Sequence, residues 1–545
     1  MKSEREVTFP MDRGIGVVSV RPTHSGPDVD WDFLGIAQGK VSVPADHELR
    51  LSIAPWHEFH SRTHRDLRPD YPHLSPDLLE MLEPFDPRAA LGALRTLGED
   101  DLQSLDLTDV PELQDDELAH IQHLSGLQEI EIGMTKRFTG NGLSHLRGLR
   151  DLKSITMMCP NFTDESVKYL AQLRGLRNVG LNRTSVSGTG LAYLQEHRLE
   201  RLALQGTRID DSSLRQISAF EDLEYLDLYD NPITEVSLGN LRSLHRLKEL
   251  VLRRTGITDL GGDCIGALGG LTSLDAGMTS LSDNGVRQLL DIPGLSSLFL
   301  DTTAVTDAAA LELASASKIE TLRMSETSIT DSACRALAEL RSLRTVDIGG
   351  PGVTSRGVGY LLSDQMLENI DFSYTDAGDE ALHELAVDSR LVTLSAGQTR
   401  VSSKGVCYLK RAPMLEDLDL GYTEIDDDAL ACLRPLKHLW SLGIAGTRVG
   451  DKGAQTIGTM PQLTDLDLTD LALTDAGLDH IASLDRLHGL ILSGTRVTDT
   501  GLTKLSGMKT LRSLVLVGIP TSSVSVPRTL ELQKKLPLCF IVFGL

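Results

Sequence analysis

From Leu247 onward, apolar and polar positions repeat every twenty-four residues. A leucine or its equivalent recurs at Leu247, Leu271, Leu295, Ile319, Leu343, Leu367, Leu391, Leu415, Leu439, Leu463, Leu487 and Leu511. Each unit carries one template, L-x-x-L-x-L-x-x-T-x-[I/V]-[T/S]-D-x-x-L-x-x-L. After Ile319 it is filled by Leu322, Met324, Thr327, Ile329, Thr330, Asp331 and Leu337. Alternation in the head, as at Leu250 and Leu252, predicts a short strand with one buried face. Thr followed by Asp, as in Thr306-Asp307 and Thr498-Asp499, predicts a helix N-cap. Apolar residues three apart, such as Leu502 and Leu505, predict a short helix behind it. No unit can bury its own apolar face, so neighbours must stack. The fold class that follows is α/β: a solenoid of parallel strands backed by short helices.

Earlier heads fall, less regularly, at Leu102, Leu127, Leu152, Leu176, Leu199 and Leu223, so the array is expected to run over 102–519. Residues 520–545 read as a C-terminal cap, with a helix from Arg528 to Leu536, a stop at Pro537 and a last strand from Cys539 to Phe543. Residues 1–74 do not fit the repeat. Alternation at Ile15 to Val20, and at Gly39 to Ile53 around a Pro44-Ala45-Asp46 turn, predicts a β-rich region or small domain there. Residues 75–101 read as a helical lead-in, with Ser75 or Asp77 as cap and Pro76 at the first helical position.

Charge narrows the partners. The formal net charge is −24, which opposes binding to a nucleic-acid backbone or an anionic membrane. No run approaches a membrane span, and the first residues lack the apolar core of a signal peptide, so a cytoplasmic protein is expected. Cys159, Cys264, Cys334, Cys407, Cys432 and Cys539 form no C-x-x-C pair and are expected to be reduced and mostly buried. The sequons at Asn161 and Asn182 are discounted for want of a secretion signal. His57, His60 and His64 have spacings that one helix face could turn toward a metal, against the plainer reading of surface histidines on a loop. Phosphate-loop, H-E-x-x-H and G-x-S-x-G patterns are missing. The glycines at 261, 262, 266, 269 and 270 are read as helix packing. A non-enzymatic chain without a cofactor is expected.

Recognition is easier to place, because residues two, four and six after each leading leucine alternate with the buried ones. The fourth positions give an acidic stripe, Asp227, Asp275, Asp347, Asp371, Asp419 and Asp467, extended by Asp417 and Asp465. It would suit a basic partner, or simply keep the strands solvated. A second cluster joins Arg201, Tyr225, Tyr229, Arg253, Arg254, Phe299 and Arg323, with Arg183 and Asp230 at its edge. Aromatics make up only 4% of the chain, and Tyr and Arg dominate interface energetics, so exposed ones carry weight. The alternative is that they stack on one another. Tyr374, Tyr422 and Trp440 form a second aromatic strip.

The template resembles the leucine-rich-repeat superfamily, in the variant whose units carry I-T-D-x-G-L; Gly477-Leu478 and Gly501-Leu502 keep that ending. Where the cysteine-containing class has Cys, this chain has Thr, at 184, 207, 255, 279, 303, 327, 375, 399, 423, 447 and 495. In that choice, and in its Leu532-to-Cys539 ending, it is similar to bacterial members. The resemblance implies a curved solenoid whose concave sheet binds a protein or peptide, and a Thr ladder bonding to the turn backbone of adjacent units. Residues 75–97 also resemble the opening of an F-box through Pro76, Leu78, Leu79, Asp86, Pro87 and Leu91, without its closing Cys and Trp part. That would imply a substrate adaptor of a ubiquitin-ligase-like complex. A third expectation is an N-terminal metal-binding or enzymatic domain served by the array.

Overall fold

The repeat headed by Leu415 shows how sequence becomes local structure. Its strand, Asp417–Asp419, buries Leu418 between two carboxylates that point the other way. Leu415, Leu420 and Ile425 are buried beside it. Asp426 then accepts from the Asp428 amide at 3.1 Å, capping the helix Asp427–Leu433. That helix buries Ala429, Leu430 and Leu433. Repeated, these pieces make leucine-rich-repeat coils with a parallel sheet on one side and short helices on the other.

The computed structural model describes residues 5–9, 17–22, 32–37, 40–44, 47–53, 87–108, 110–133, 135–315, 318–363, 366–385, 387, 389–520, 523–536 and 539–544. They fall into two compact units, one holding the residues up to Thr279 with 291–294, the other holding Ser280–Leu290 and Leu295 onward. His57, His60 and His64 lie outside the described residues, as do residues 75–86 of the F-box-like segment. Its remainder forms a helix, Pro87–Ala93.

In the first unit, strands β1 (Arg5–Thr8), β2 (Val17–Pro22), β3 (Asp32–Ile36), β4 (Lys40–Val43) and β5 (His47–Ser52) precede the repeats. Among the described residues β4 and β5, the strands on either side of Pro44-Ala45-Asp46, do not pair as a hairpin: β4 lies antiparallel to β1, and β5 antiparallel to β2. β5 then joins β6 (Ser104–Leu107) in parallel, Arg50 opposite Ser104, so the N-terminal strands extend the repeat sheet. From β6 the sheet continues strand by strand to Ser273–Asp275. The second unit runs from Ser297–Phe299 to Phe540–Gly544, which pairs in parallel with Ser513–Val517 after the helix Val526–Lys535.

Two polar ladders hold the turns. The Thr hydroxyl donates to the carbonyl three residues back in its own repeat, for example Thr423 to Leu420 and Thr327 to Met324, both at 2.6 Å. This corrects the expected bond to the neighbouring unit: Thr closes its own turn, bonding the carbonyl of the residue that follows the strand. The link between repeats is the Asp after the N-cap. Asp451 Oδ1 accepts from the Thr474 amide at 2.8 Å and the Gly477 amide at 3.1 Å, while Oδ2 takes the Thr474 hydroxyl at 2.6 Å. Asp283, Asp307, Asp331 and Asp475 bond the following N-cap in the same way. Glycine in T-D-x-G-L is explained by this contact, since a Cβ at Gly501 would overlap Asp475 Oδ1.

Cys407 and Cys432 form a disulfide, with Cα atoms 4.9 Å apart. This corrects the expectation that all six cysteines are thiols: stacking brings two helical segments 25 residues apart side by side. Cys159, Cys334 and Cys539 are buried thiols outside the disulfide, and burial pushes each up to about 12.

Candidate recognition surface

Side chains on the sheet face opposite the core come from alternate strand positions, and the register of each strand pair lines them up. Tyr225 stands beside Arg201 and Glu249, and Asp227 beside Ala203 and Val251. Arg201 lays its guanidinium over the Tyr225 ring, 4.1 Å from its centre, and reaches Glu249 at 4.0 Å. The Tyr225 hydroxyl donates to Asp227 Oδ2 at 3.4 Å, and burial raises its pKa. Arg253 Nη1 lies 3.6 Å from Asp275, and Arg254 Nε 3.2 Å from Asp230. Tyr229 is half-buried and enters through its backbone, donating to Asp227 at 2.8 Å.

Phe299 and Arg323 belong to the second unit. The Arg323 guanidinium lies 5.9 Å from the Phe299 ring centre, and its Nε sits 3.2 Å from both Asp301 and Asp347. Within each unit the arginines of this cluster therefore already face carboxylates. What they present outward is a mixed, internally compensated surface of planar groups.

The acidic stripe has a structural use that periodicity alone does not reveal. Each of its six members accepts, through Oδ1, the amide two residues on: Asp227 from Tyr229, Asp275 from Gly277, Asp347 from Gly349, Asp371 from Ser373, Asp419 from Gly421 and Asp467 from Thr469. The carboxylate thus closes the strand end by an Asx-type bond. Burial pushes Asp347 up to about 6, with the neighbouring Asp371 adding to it. Asp227 and Asp419 are raised chiefly by burial too.

Near the N-terminus the same face is filled. Arg21 bridges Glu48 at 2.9 Å and Glu129 at 2.6 Å, while Arg50 bridges Asp106 at 2.8 Å and Glu131 at 3.1 Å. Arg21, Glu48 and Asp106 are buried. Sequence reasoning missed this network because its members come from strands far apart in the chain.

It also missed the slot before each Thr of the ladder, or before Asn231 in the repeat that carries Asn there, where the backbone is left-handed. Arg183, Asp230, Arg254, Met278, Tyr374, Gln398 and Tyr422 all have φ between 53° and 61° there. The turn sends those side chains outward. Tyr374 is 64% exposed and Tyr422 52%, and the Tyr422 hydroxyl reaches Asp470 Oδ2 at 3.2 Å across Gly446. Trp440 is 40% exposed, its indole N–H 3.3 Å from Glu416. Among the described residues no group of His, Cys, Asp and Glu is arranged to hold a metal, and no helix is long and apolar enough to cross a membrane.

No known family's sequence profile matches the chain, and no curated protein is similar to it. Solved structures do resemble it. TLR13, determined in complex with a single-stranded RNA, matches at 19% identity and TM-score 0.51, over 78% of this chain and 71% of that one. A leucine-rich-repeat protein of Leptospira interrogans matches at 18% identity and TM-score 0.38, over 83% and 97%. An internalin of Listeria monocytogenes matches at 22% and 0.38, over 61% and 85%. The TLR13 likeness agrees with the repeat on the fold.

Proposed function

We propose that this leucine-rich-repeat protein is a non-catalytic interaction scaffold that binds a protein or peptide on the open face of its sheet. The observation that carries the reading is the Arg201–Tyr225–Arg253 surface. Planar, polar-tipped groups stand together on the sheet, Arg201 laid over Tyr225, in a chain with only 4% aromatic residues. A sheet ordered before binding loses little entropy when a ligand arrives, so few contacts need suffice. The RNA of the TLR13 complex is not carried over, because a net charge of −24 opposes a phosphate backbone. In this reading 1–74 and 75–101 serve as the N-terminal cap and lead-in, 102–519 as the binding array and 520–545 as the closing cap.

The test is affinity capture with the full chain beside a Tyr225→Ala/Tyr229→Ala/Arg253→Ala variant of unchanged circular dichroism. The expected result is one partner held by wild type and lost by the variant. Each true hot spot removed should cost about 2 kcal/mol or more. A partner held equally by both would show that this face is not the one used.

A further inference from the structure

We propose that the sheet face of the second unit, between Asp371 and Asp467, receives an extended basic segment of a partner protein with Lys or Arg at every third residue. This rests on the scaffold reading and specifies the chemistry of its ligand.

Charge is the first argument. Asp347 faces Arg323, and Asp275 in the first unit faces Arg253. Among the described residues no Lys, Arg or His pairs with Asp371, Asp419 or Asp467. Each commits Oδ1 to the amide two residues on, and Oδ2 carries no hydrogen bond from a described residue. Three outward carboxylate oxygens therefore stand in one row without a cation.

Spacing is the second. The register sets Asp371 beside Ser395, Ser395 beside Asp419, Asp419 beside Gly443 and Gly443 beside Asp467. Neighbouring strands lie about 4.8 Å apart, so the carboxylates recur roughly every 10 Å, with only small residues between them. A polyproline II segment rises about 3.1 Å per residue with three residues per turn, returning a side chain to one side about every 9 Å. A β-strand ligand would return at about 7 Å and fall out of step after one pair.

Shape narrows the ligand further. Beside the carboxylates runs a row of small residues, Gly397, Gly421 and Ala445, all buried. Beyond it stand Tyr374 and Tyr422, turned outward by their left-handed backbone. The strip between acids and phenols suits one extended chain better than a helix of about 10–12 Å diameter. Tyr faces can also cover the aliphatic stems and cationic heads of Lys or Arg.

The experiment uses the full chain and fluorescein-labelled nine-residue peptides, read by polarisation at about 0.15 M salt to damp non-specific attraction. One peptide carries three arginines at every third position in a proline–alanine background; its isomer has the same composition with the arginines adjacent. A third peptide, helical and lengthened to fifteen residues, carries its three arginines seven apart, which is about 10 Å along a helix. Wild type should bind the first at least tenfold tighter than the other two. Asp371→Asn/Asp419→Asn/Asp467→Asn, which keeps the backbone-accepting oxygens, should lose that preference, and Lys452→Ala, in the helix Asp451–Ile457 behind the sheet, should keep it. Equal binding of the isomers, a preference for the helical peptide, or an unchanged triple variant would overturn the assignment. If the assignment fails while capture still depends on Tyr225, Tyr229 and Arg253, the scaffold reading stands. Capture insensitive to every sheet-face substitution would remove the reading beneath it.

Discussion

A left-handed residue recurs at one slot of the turn, and only some repeats fill that slot with glycine. Gly206, Gly446 and Gly494 occupy it with φ of 59°, 62° and 67°, whereas Gln398 holds φ 54° against the steric preference of an L-residue. Gln398 is exposed and donates only through its backbone, to Gly421 at 2.8 Å. Gln398→Gly should therefore stabilise the chain by about 0.5–1 kcal/mol, less than the full steric gain because glycine also loosens the unfolded chain. A lower midpoint in thermal melts would refute it. Asp347 gives the second residue-scale prediction. Burial holds its native pKa near 6, above the ordinary 3.8, so the folded protein keeps a proton that the unfolded chain has released. The associated stability is full below 3.8 and lost as pH rises through 6. Asp347→Asn should melt higher than wild type at pH 7.5, and that advantage should vanish at pH 3.5. A pH-independent difference would mean that Asp347 titrates normally.

Between elements, cohesion is polar as well as apolar. The stacked leucines supply the bulk of the energy but do not set register, because one buried leucine row can slide against another. The Asp ladder can set it: each carboxylate meets the amides and hydroxyl of one particular N-cap in the next repeat. Asp451→Ala removes three such bonds from the Thr474 and Gly477 groups. The cost should be about 2–3 kcal/mol, felt locally because repeats contact only their neighbours. Hydrogen exchange should report faster exchange at the Thr474 and Gly477 amides, with the strands of distant repeats unchanged. Uniform loss of protection across the chain would show that the ladder is not local. In two repeats a serine stands where the Asp would be. Ser355 and Ser403 each accept the following N-cap amide, from Gly378 at 2.8 Å and Asp426 at 2.9 Å.

At the scale of the whole molecule, a −24 chain whose sheet carboxylates are partly uncompensated should associate with basic partners in a salt-dependent way. The Cys407–Cys432 bond adds a covalent tie across neighbouring repeats. It closes a loop of 25 residues, so Cys407→Ser/Cys432→Ser should lose about 3 kcal/mol of local stability under non-reducing conditions. Under a strong reductant, wild type and variant should become indistinguishable in denaturant melts. A gap that persists after reduction would assign the loss to packing.

The repeat, its strands, its N-caps and the C-terminal helix and strand were legible in the sequence, because each is encoded by contiguous residues. A period-two head and a Thr-Asp cap need no distant partner to be read. The outward row of carboxylates was legible for the same reason. What those carboxylates do was not: whether Asp347 meets Arg323 while Asp371 meets no cation among the described residues depends on residues a full repeat or more away. The pairing of β4 with β1, the buried Arg21–Glu48–Glu129 bridge and the Cys407–Cys432 bond likewise join segments whose spacing carries no local signature. Nor does the left-handed slot announce itself when Arg, Met, Gln and Tyr all fill it. Local periodicity determined the fold, since hydrophobic burial is additive along the chain. Only the stacked structure decided which polar groups neutralise one another, since that is a property of pairs.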